Sequence, residues 1–211
     1  MTQVVVRRVA EVLATAPETR EWLSPSEQTR LLRLRVVERR DQYLAGHWLL
    51  RRLLAEHHAV DPRAVSLVER ENLPPAVAGS ALEVSLSHGG DWIAAAWSAA
   101  PVGIDLEPRT PRPALDRLQH LLLNPDEARG SLDNDALLQR WVLKEALIKR
   151  DHASALPEQL AALQLRPVTV KGEVEILSSA AWHLALAPAG MGPVDAGLPL
   201  LAHSAWAQSP A

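Results

Sequence analysis

The sequence predicts an α+β protein built from two similar halves, each a small sheet packed on a long helix. Three observations carry this. A helix-start signature of cap, proline and N3 glutamate occurs twice, at Ser24-Pro25-Ser26-Glu27 and at Asn124-Pro125-Asp126-Glu127. A long stretch with helical apolar spacing follows each, from about residue 40 to 57 and from about 135 to 150. Short strand-like stretches precede and follow both. The boundary falls near residue 100, giving an N-terminal half of residues 1–100 and a C-terminal half of residues 101–211. Residue identity between the halves is slight, so the repeat rests on element order.

Taken in order, Gln3 to Val9 is a strand and Ser24 caps a helix running through Leu31, Leu32 and Leu34. The next helix owes its broad apolar face to Tyr43, Leu44, His47, Trp48, Leu50, Leu53 and Leu54, and Asp61-Pro62 breaks it. Strands are expected at Ala64 to Glu69, Leu82 to Ser87 and Trp92 to Ser98, the last two joined by a turn at His88-Gly89-Gly90-Asp91. In the second half, Val102 to Glu107 alternates as a strand does, and Pro108 ends it. Further strands are expected at Leu163 to Arg166, Val168 to Val170, Glu173 to Leu177 and Trp182 to Ala187, with a turn at Lys171-Gly172. The Pro/Gly-dense run to Pro199 reads as a loop, Leu200 to Trp206 as one more strand, and Gln208 to Ala211 as a frayed tail.

Composition narrows the class. Hydrophobic content of 47% and charged content of 22% are ordinary for a soluble globular protein. The absence of cysteine excludes disulfide frameworks and thiol chemistry and is compatible with a cytoplasmic protein. The Val4-Val5-Val6 run is too short to span a membrane, and its basic residues follow it, the wrong order for a signal peptide. A net charge of −3 gives no reason to expect nucleic acid, yet residues 30 to 52 hold seven arginines against Glu38 and Asp41.

The chemistry concentrates in two stretches. In Gly103-Ile104-Asp105-Leu106-Glu107 the period-two alternation sends both carboxylates off one face. In Trp141-Val142-Leu143-Lys144-Glu145-Ala146-Leu147-Ile148-Lys149 a helix adds a third carboxylate flanked by two lysines. An Asp-x-Glu alone reads as a solvated strand edge, and Glu145 with Lys149 as an exposed helix pair worth a few tenths of a kcal/mol. Two facts favour a site. Glu145 leans toward the apolar face set by Trp141 and Val142, and this helix holds two of only three lysines in a chain with nineteen arginines. Clustered carboxylates repel unless a cation sits among them, and hard divalent ions take oxygen ligands and phosphate oxygens.

These two motifs, in this order and spacing, resemble those of the Sfp-type 4′-phosphopantetheinyl transferases, and Ser85-Leu86-Ser87-His88 is similar to that family's Ser-His motif. The resemblance runs from about Trp22 to Ala187. It implies a pseudo-two-fold fold with coenzyme A bound between the halves, and a magnesium ion, replaceable by manganese, held by Asp105, Glu107 and Glu145. It implies cofactor contacts from Arg39, Arg40, His88 and Lys149 to coenzyme A phosphates, a further contact from Lys144, and catalysis by Lys149, which also stabilises the leaving charge. Glu145 is the implied base, directly or through a bound water. The implied reaction moves the 4′-phosphopantetheine arm to a serine of an apo acyl or peptidyl carrier protein of fatty acid, polyketide or nonribosomal peptide synthesis, releasing 3′,5′-ADP. The expected enzyme is a cytoplasmic monomer with no nucleic-acid or membrane partner. Another metal-dependent phosphotransfer enzyme, or a non-catalytic carrier- or nucleotide-binding module, stands as the alternative. The chain departs from the pattern at Asn72-Leu73-Pro74, where many relatives carry Gly-Lys-Pro or Gly-Arg-Pro, and at His152-Ala153-Ser154-Ala155, where Gly-x-Gly is common.

Overall fold

A computed structural model of the chain describes residues 2–109, 115–152, 157–168, 172–188, 194–197 and 199–208, and these form an α+β fold. The expected strand beyond Val168, the turn at Lys171, the departure at Ala153–Ala155, the start of the Pro/Gly run at 189–193 and the tail at 209–211 lie outside the described residues. The chain divides into two compact units: Met1–Val102 with Gly192–Gly197, and Gly103–Met191 with Leu198–Ala211. Among the described residues no helix is long and apolar enough to cross a membrane.

The first unit opens with β1 (Thr2–Arg8) and the short α1 (Val9–Leu13). Next comes α2 (Pro25–Arg33), capped by Ser24 with the reciprocal Glu27 bond that the sequence predicts. The long α3 (Val37–His58) buries a continuous run from Leu44 to Leu50 and ends on Ala59 in the left-handed region. It begins three residues before the anticipated start, and α2 stops at Arg33, so the arginine-rich stretch is no single helix face. Leu34 and Val36 are extended, and the stretch bends between two helix ends. A hairpin of β2 (Leu67–Arg70) and β3 (Leu73–Val77) follows. Its third strand residue is a second proline, Pro75, tolerated because this sheet is only two strands wide. Asn72 turns this hairpin at φ 55°. That is a left-handed conformation open to glycine and asparagine, so the departure from a glycine there is conformationally conservative. The strands β4 (Glu83–Gly89) and β5 (Trp92–Ser98) complete the unit in the order β10-β1-β5-β4. Here β10 (Val194–Asp195) returns from far along the chain to pair parallel with β1, where Arg7 holds Asp195.

The second unit starts with β6 (Gly103–Pro108). A leucine-rich segment holding α4 (Gln119–Leu122) leads to Asn124, whose side chain caps as predicted, although only a single 3-10 turn, Glu127–Arg129, follows it. Asp133 then caps α5 (Asn134–Arg150), and α6 (Pro157–Ala162) succeeds it. The strands β7 (Leu165–Val168), β8 (Val174–Ser178), β9 (Trp182–Ala187) and β11 (Ala202–Gln208) join β6 in an antiparallel sheet, ordered β6-β9-β8-β11-β7. In each unit the first strand pairs antiparallel with the second strand of a hairpin, β1 with β5 and β6 with β9.

Helix α5 crosses β6 at Gly103. A Cβ at that position would collide with the backbone of α5, at the Ala146 carbonyl and the Arg150 amide. This close approach is what the motif's glycine is for. It identifies the face of β6 turned to α5 as the one carrying Gly103, Asp105 and Glu107, since strand side chains alternate. Ala187, Ala185 and His183 of β9, their ladder partners, share that face.

Candidate functional site

On that face Asp105 and Glu107 are buried, at 5% and 9% exposure, between β9 and the long helix. Lys149, the penultimate residue of α5, reaches across to Asp105, its Nζ donating to Oδ1 at 2.7 Å. Glu145 lies one turn back on the same helix, half-buried. Burial pushes its carboxyl above the usual range, the nearby negative charge of Asp105 adds to this, and Lys149 opposes it. The structure thus brings Asp105, Glu145 and Lys149 together as an electrostatically coupled group. A raised carboxyl beside a second carboxylate is a pair that a cation would relieve, and both are hard oxygen donors of the kind magnesium takes. Among the described residues, however, no group of three or more His, Asp or Glu side chains is gathered closely enough to hold a metal ion.

Lys144 is placed differently from the expectation that it contacts a cofactor. It is fully buried, and its Nζ donates to the Leu122 carbonyl at 2.7 Å and pairs with Glu127 at 2.5 Å. Burial pushes the ammonium below the usual lysine range, with Glu127 opposing. Its spacing of three from Trp141 sets it on the packed side of α5, where its work is to tie the helix to the capped turn before it. Arg140, one turn back, stands 4.0 Å from the same Glu127 and lies over the Trp206 ring.

In the first unit two of the predicted cofactor residues meet. Arg39, in the first turn of α3, places Nη1 3.1 Å from His88 Nδ1 and 3.3 Å from Nε2. One nitrogen can lie that near both ring nitrogens without striking the carbon between them only from above the ring, so Nη1 sits over the imidazole face. Gln42 fixes the neighbouring turn by donating to the Gly90 carbonyl. Arg40, beside Arg39 at the same helix N-terminus, is exposed.

Two further polar clusters had no local spacing to announce them. Glu27, buried at the N3 position of α2, receives both arms of Arg51, at 2.7 and 2.5 Å, and His47 Nδ1 at 2.7 Å. Burial opposes its ionisation, but these bonds prevail and hold the carboxyl down at about 2. In the second unit Asp135 accepts from Arg109 and His183, as developed below.

Asp105, Glu145 and Lys149, drawn from the two motifs, thus meet between a strand and a long helix. No protein-family model matches the chain. It is 31% identical over 115 residues to the 4′-phosphopantetheinyl transferase psf-1 of Bacillus pumilus, covering 50% of this chain and 48% of that protein. It is 26% identical over 147 residues to the 4′-phosphopantetheinyl transferase of Bacillus subtilis, covering 65% of each. The chain thus matches between about half and two thirds of the length of these curated relatives. Over those spans it is similar to 4′-phosphopantetheinyl transferases.

Proposed function

We propose that the chain transfers the 4′-phosphopantetheine arm of coenzyme A to a serine of an apo acyl or peptidyl carrier protein, as a monomer in the cytoplasm. The observation that carries this reading is the Asp105–Lys149–Glu145 group, assembled from the two motifs that resemble those of the transferase family. In this reading Asp105, Glu107 and Glu145, which are not gathered closely enough here to grip an ion, would draw together on magnesium, and the ion would offset the charge of the coenzyme A pyrophosphate. Arg39, Arg40 and His88 serve the 3′-phosphate, the cations at the start of α3 being joined there by the positive end of the helix.

The reaction is a phosphoryl-type transfer. The carrier serine oxygen bonds to the β-phosphorus, the bond from that phosphorus to the bridging oxygen breaks, and 3′,5′-ADP leaves with the electron pair. The serine proton passes to Glu145, directly or through a bound water. Lys149 then supports the charge that grows on the leaving oxygen. The two units, which repeat one order of elements and strand pairing, are in this reading related by a pseudo-two-fold axis.

The test is mass spectrometry of a panel of apo carriers from fatty acid, polyketide and nonribosomal peptide systems, incubated with the chain, coenzyme A and magnesium. The reading expects one carrier to gain one phosphopantetheine arm, and chelation to stop the gain. Another phosphotransfer activity would show turnover without coenzyme A, and a binding module no turnover at all. Either result refutes the reading.

A further inference from the structure

The carboxylates of β6 and the acidic and basic groups of α5 can act on one ligand only if the gap between strand and helix is fixed. One end of that gap is set by backbone contact at Gly103, against Ala146 and Arg150. The other end holds a set of polar groups that the proposed reaction does not use. Arg109 follows directly on β6, its backbone amide donating to the Ala181 carbonyl at 2.9 Å and its Nη1 to the Ser179 carbonyl at 3.1 Å. Its Nε donates to Asp135 Oδ1 at 3.0 Å. Asp135 belongs to the first turn of α5. His183, fully buried and directly opposite Glu107 in the β6–β9 ladder, lies with Nε2 2.9 Å from the same oxygen. Ser178 of β8 lies 2.7 Å from His183 Nδ1, and Gln139 donates to the other Asp135 oxygen at 3.2 Å. Because a carboxylate only accepts, His183 must donate from Nε2, which leaves Nδ1 to accept the Ser178 hydroxyl. The chain of bonds is therefore directional, and every member is satisfied.

We propose that Asp135 is a positioning residue for the cation site. Through Arg109 it binds the end of β6, and through His183 the strand beside Glu107, to the start of α5. The helix is thus held to the strand at two points, and Asp105, Glu107 and Glu145 act in the span between them, with Lys149 beside the Gly103 contact. This inference rests on the reading that these carboxylates hold a divalent cation. The arrangement of an outer hydrogen-bonded partner that orients ligand-bearing elements is one whose loss typically weakens metal affinity by about 10- to 100-fold.

The test uses the full chain and binding of Mn²⁺, followed by the paramagnetic signal of the free ion, beside separate kcat and KM values for coenzyme A and a carrier. Asp135→Asn should weaken Mn²⁺ binding by about tenfold or more and lower kcat, with KM for the carrier unchanged. His183→Leu should do the same, while His183→Gln, which keeps a donor toward Asp135, should restore most of the Mn²⁺ affinity. If Asp135→Asn fails to fold, the two His183 variants carry the comparison. Folded variants with wild-type Mn²⁺ affinity and kcat overturn the positioning role alone. A wild-type chain that binds no Mn²⁺ overturns the cation reading, and the positioning role with it.

Discussion

The two units use one device with different chemistry. In each, the N3 glutamate of a capped turn reaches back to a cation on the long helix: Glu27 to Arg51 in the first, Glu127 to Lys144 in the second. In each, a second basic residue stands four positions earlier on that helix, His47 or Arg140, beside the same glutamate. Set on this correspondence, Trp48, Leu50 and Leu54 match Trp141, Leu143 and Leu147. One position beyond the buried cation the units part. The first carries Arg52 and Glu56 where the second carries Glu145 and Lys149, so the charge order is inverted. The strand that faces the helix differs as well, with Val5 of β1 packed against the core where β6 presents its carboxylates. The glutamate–cation staple occurs in both units, and the strand carboxylates facing the long helix occur in one.

The sharpest way to break the comparison is at the staples. Glu27→Gln leaves a guanidinium that cannot shed its proton buried without a charge partner, and should cost about 3–5 kcal/mol by denaturant unfolding. Glu127→Gln should cost less, because burial already pushes Lys144 toward its neutral form. Equal costs would show that the choice of arginine or lysine is immaterial. The Glu27 staple also has a pH signature. Its carboxyl is held at about 2 in the folded chain against an ordinary 4.5, so its contribution is full above 4.5 and is lost as pH falls toward 2. Acid titration of stability should show that loss in the wild type and a shallower one in Glu27→Gln.

Next comes the inverted pair. Lys149→Ala should lower turnover by roughly a hundredfold with little change in KM, since its charge is wanted most in the transition state. The matching change in the first unit, Glu56→Ala, should leave turnover alone. If both variants turn over at the wild-type rate, the charge inversion carries no catalytic meaning.

The smallest effects concern the two glycines at helix–strand crossings. Gly103→Ala forces a methyl group into the α5 backbone, which cannot yield, and should cost about 1–3 kcal/mol or more together with activity. Gly46 of α3 faces the tip of the Ile93 side chain at 3.1 Å, which can rotate, and alanine also favours a helix interior. Gly46→Ala should therefore shift stability by no more than about 1 kcal/mol, as thermal melting would show.

What the sequence made legible was whatever has a short-range signature. The capping boxes, the alternation of β6, the span of α5 and the strand Trp182–Ala187 are all of this kind. The bend inside the arginine-rich stretch was not legible, because Leu34 to Val36 carry neither glycine nor proline to mark it. The buried pairing of Lys144 was not legible because motif spacing says which face a residue shares but not what covers that face. Its partner Glu127 was nonetheless visible as the N3 residue of the second box, and aligning the halves on their tryptophans would have paired both buried cations with both glutamates. Asp135, His183 and Arg109 come from separate elements, and only the pairing of β6 with β9 brings them together.

The strand β10 bears on how the protein is made. Chains generally fold domain by domain as they are synthesised, N-terminal first. Here β1, near the very start, takes its outer neighbour from Val194–Asp195. The first unit therefore leaves the ribosome with one edge of its sheet unpaired, and keeps it so while the whole of β6 to β9 is being translated. An open edge of that kind recruits other strands. The last two residues of the N-terminal sheet, Val194 and Asp195, are thus also the last of it to be made.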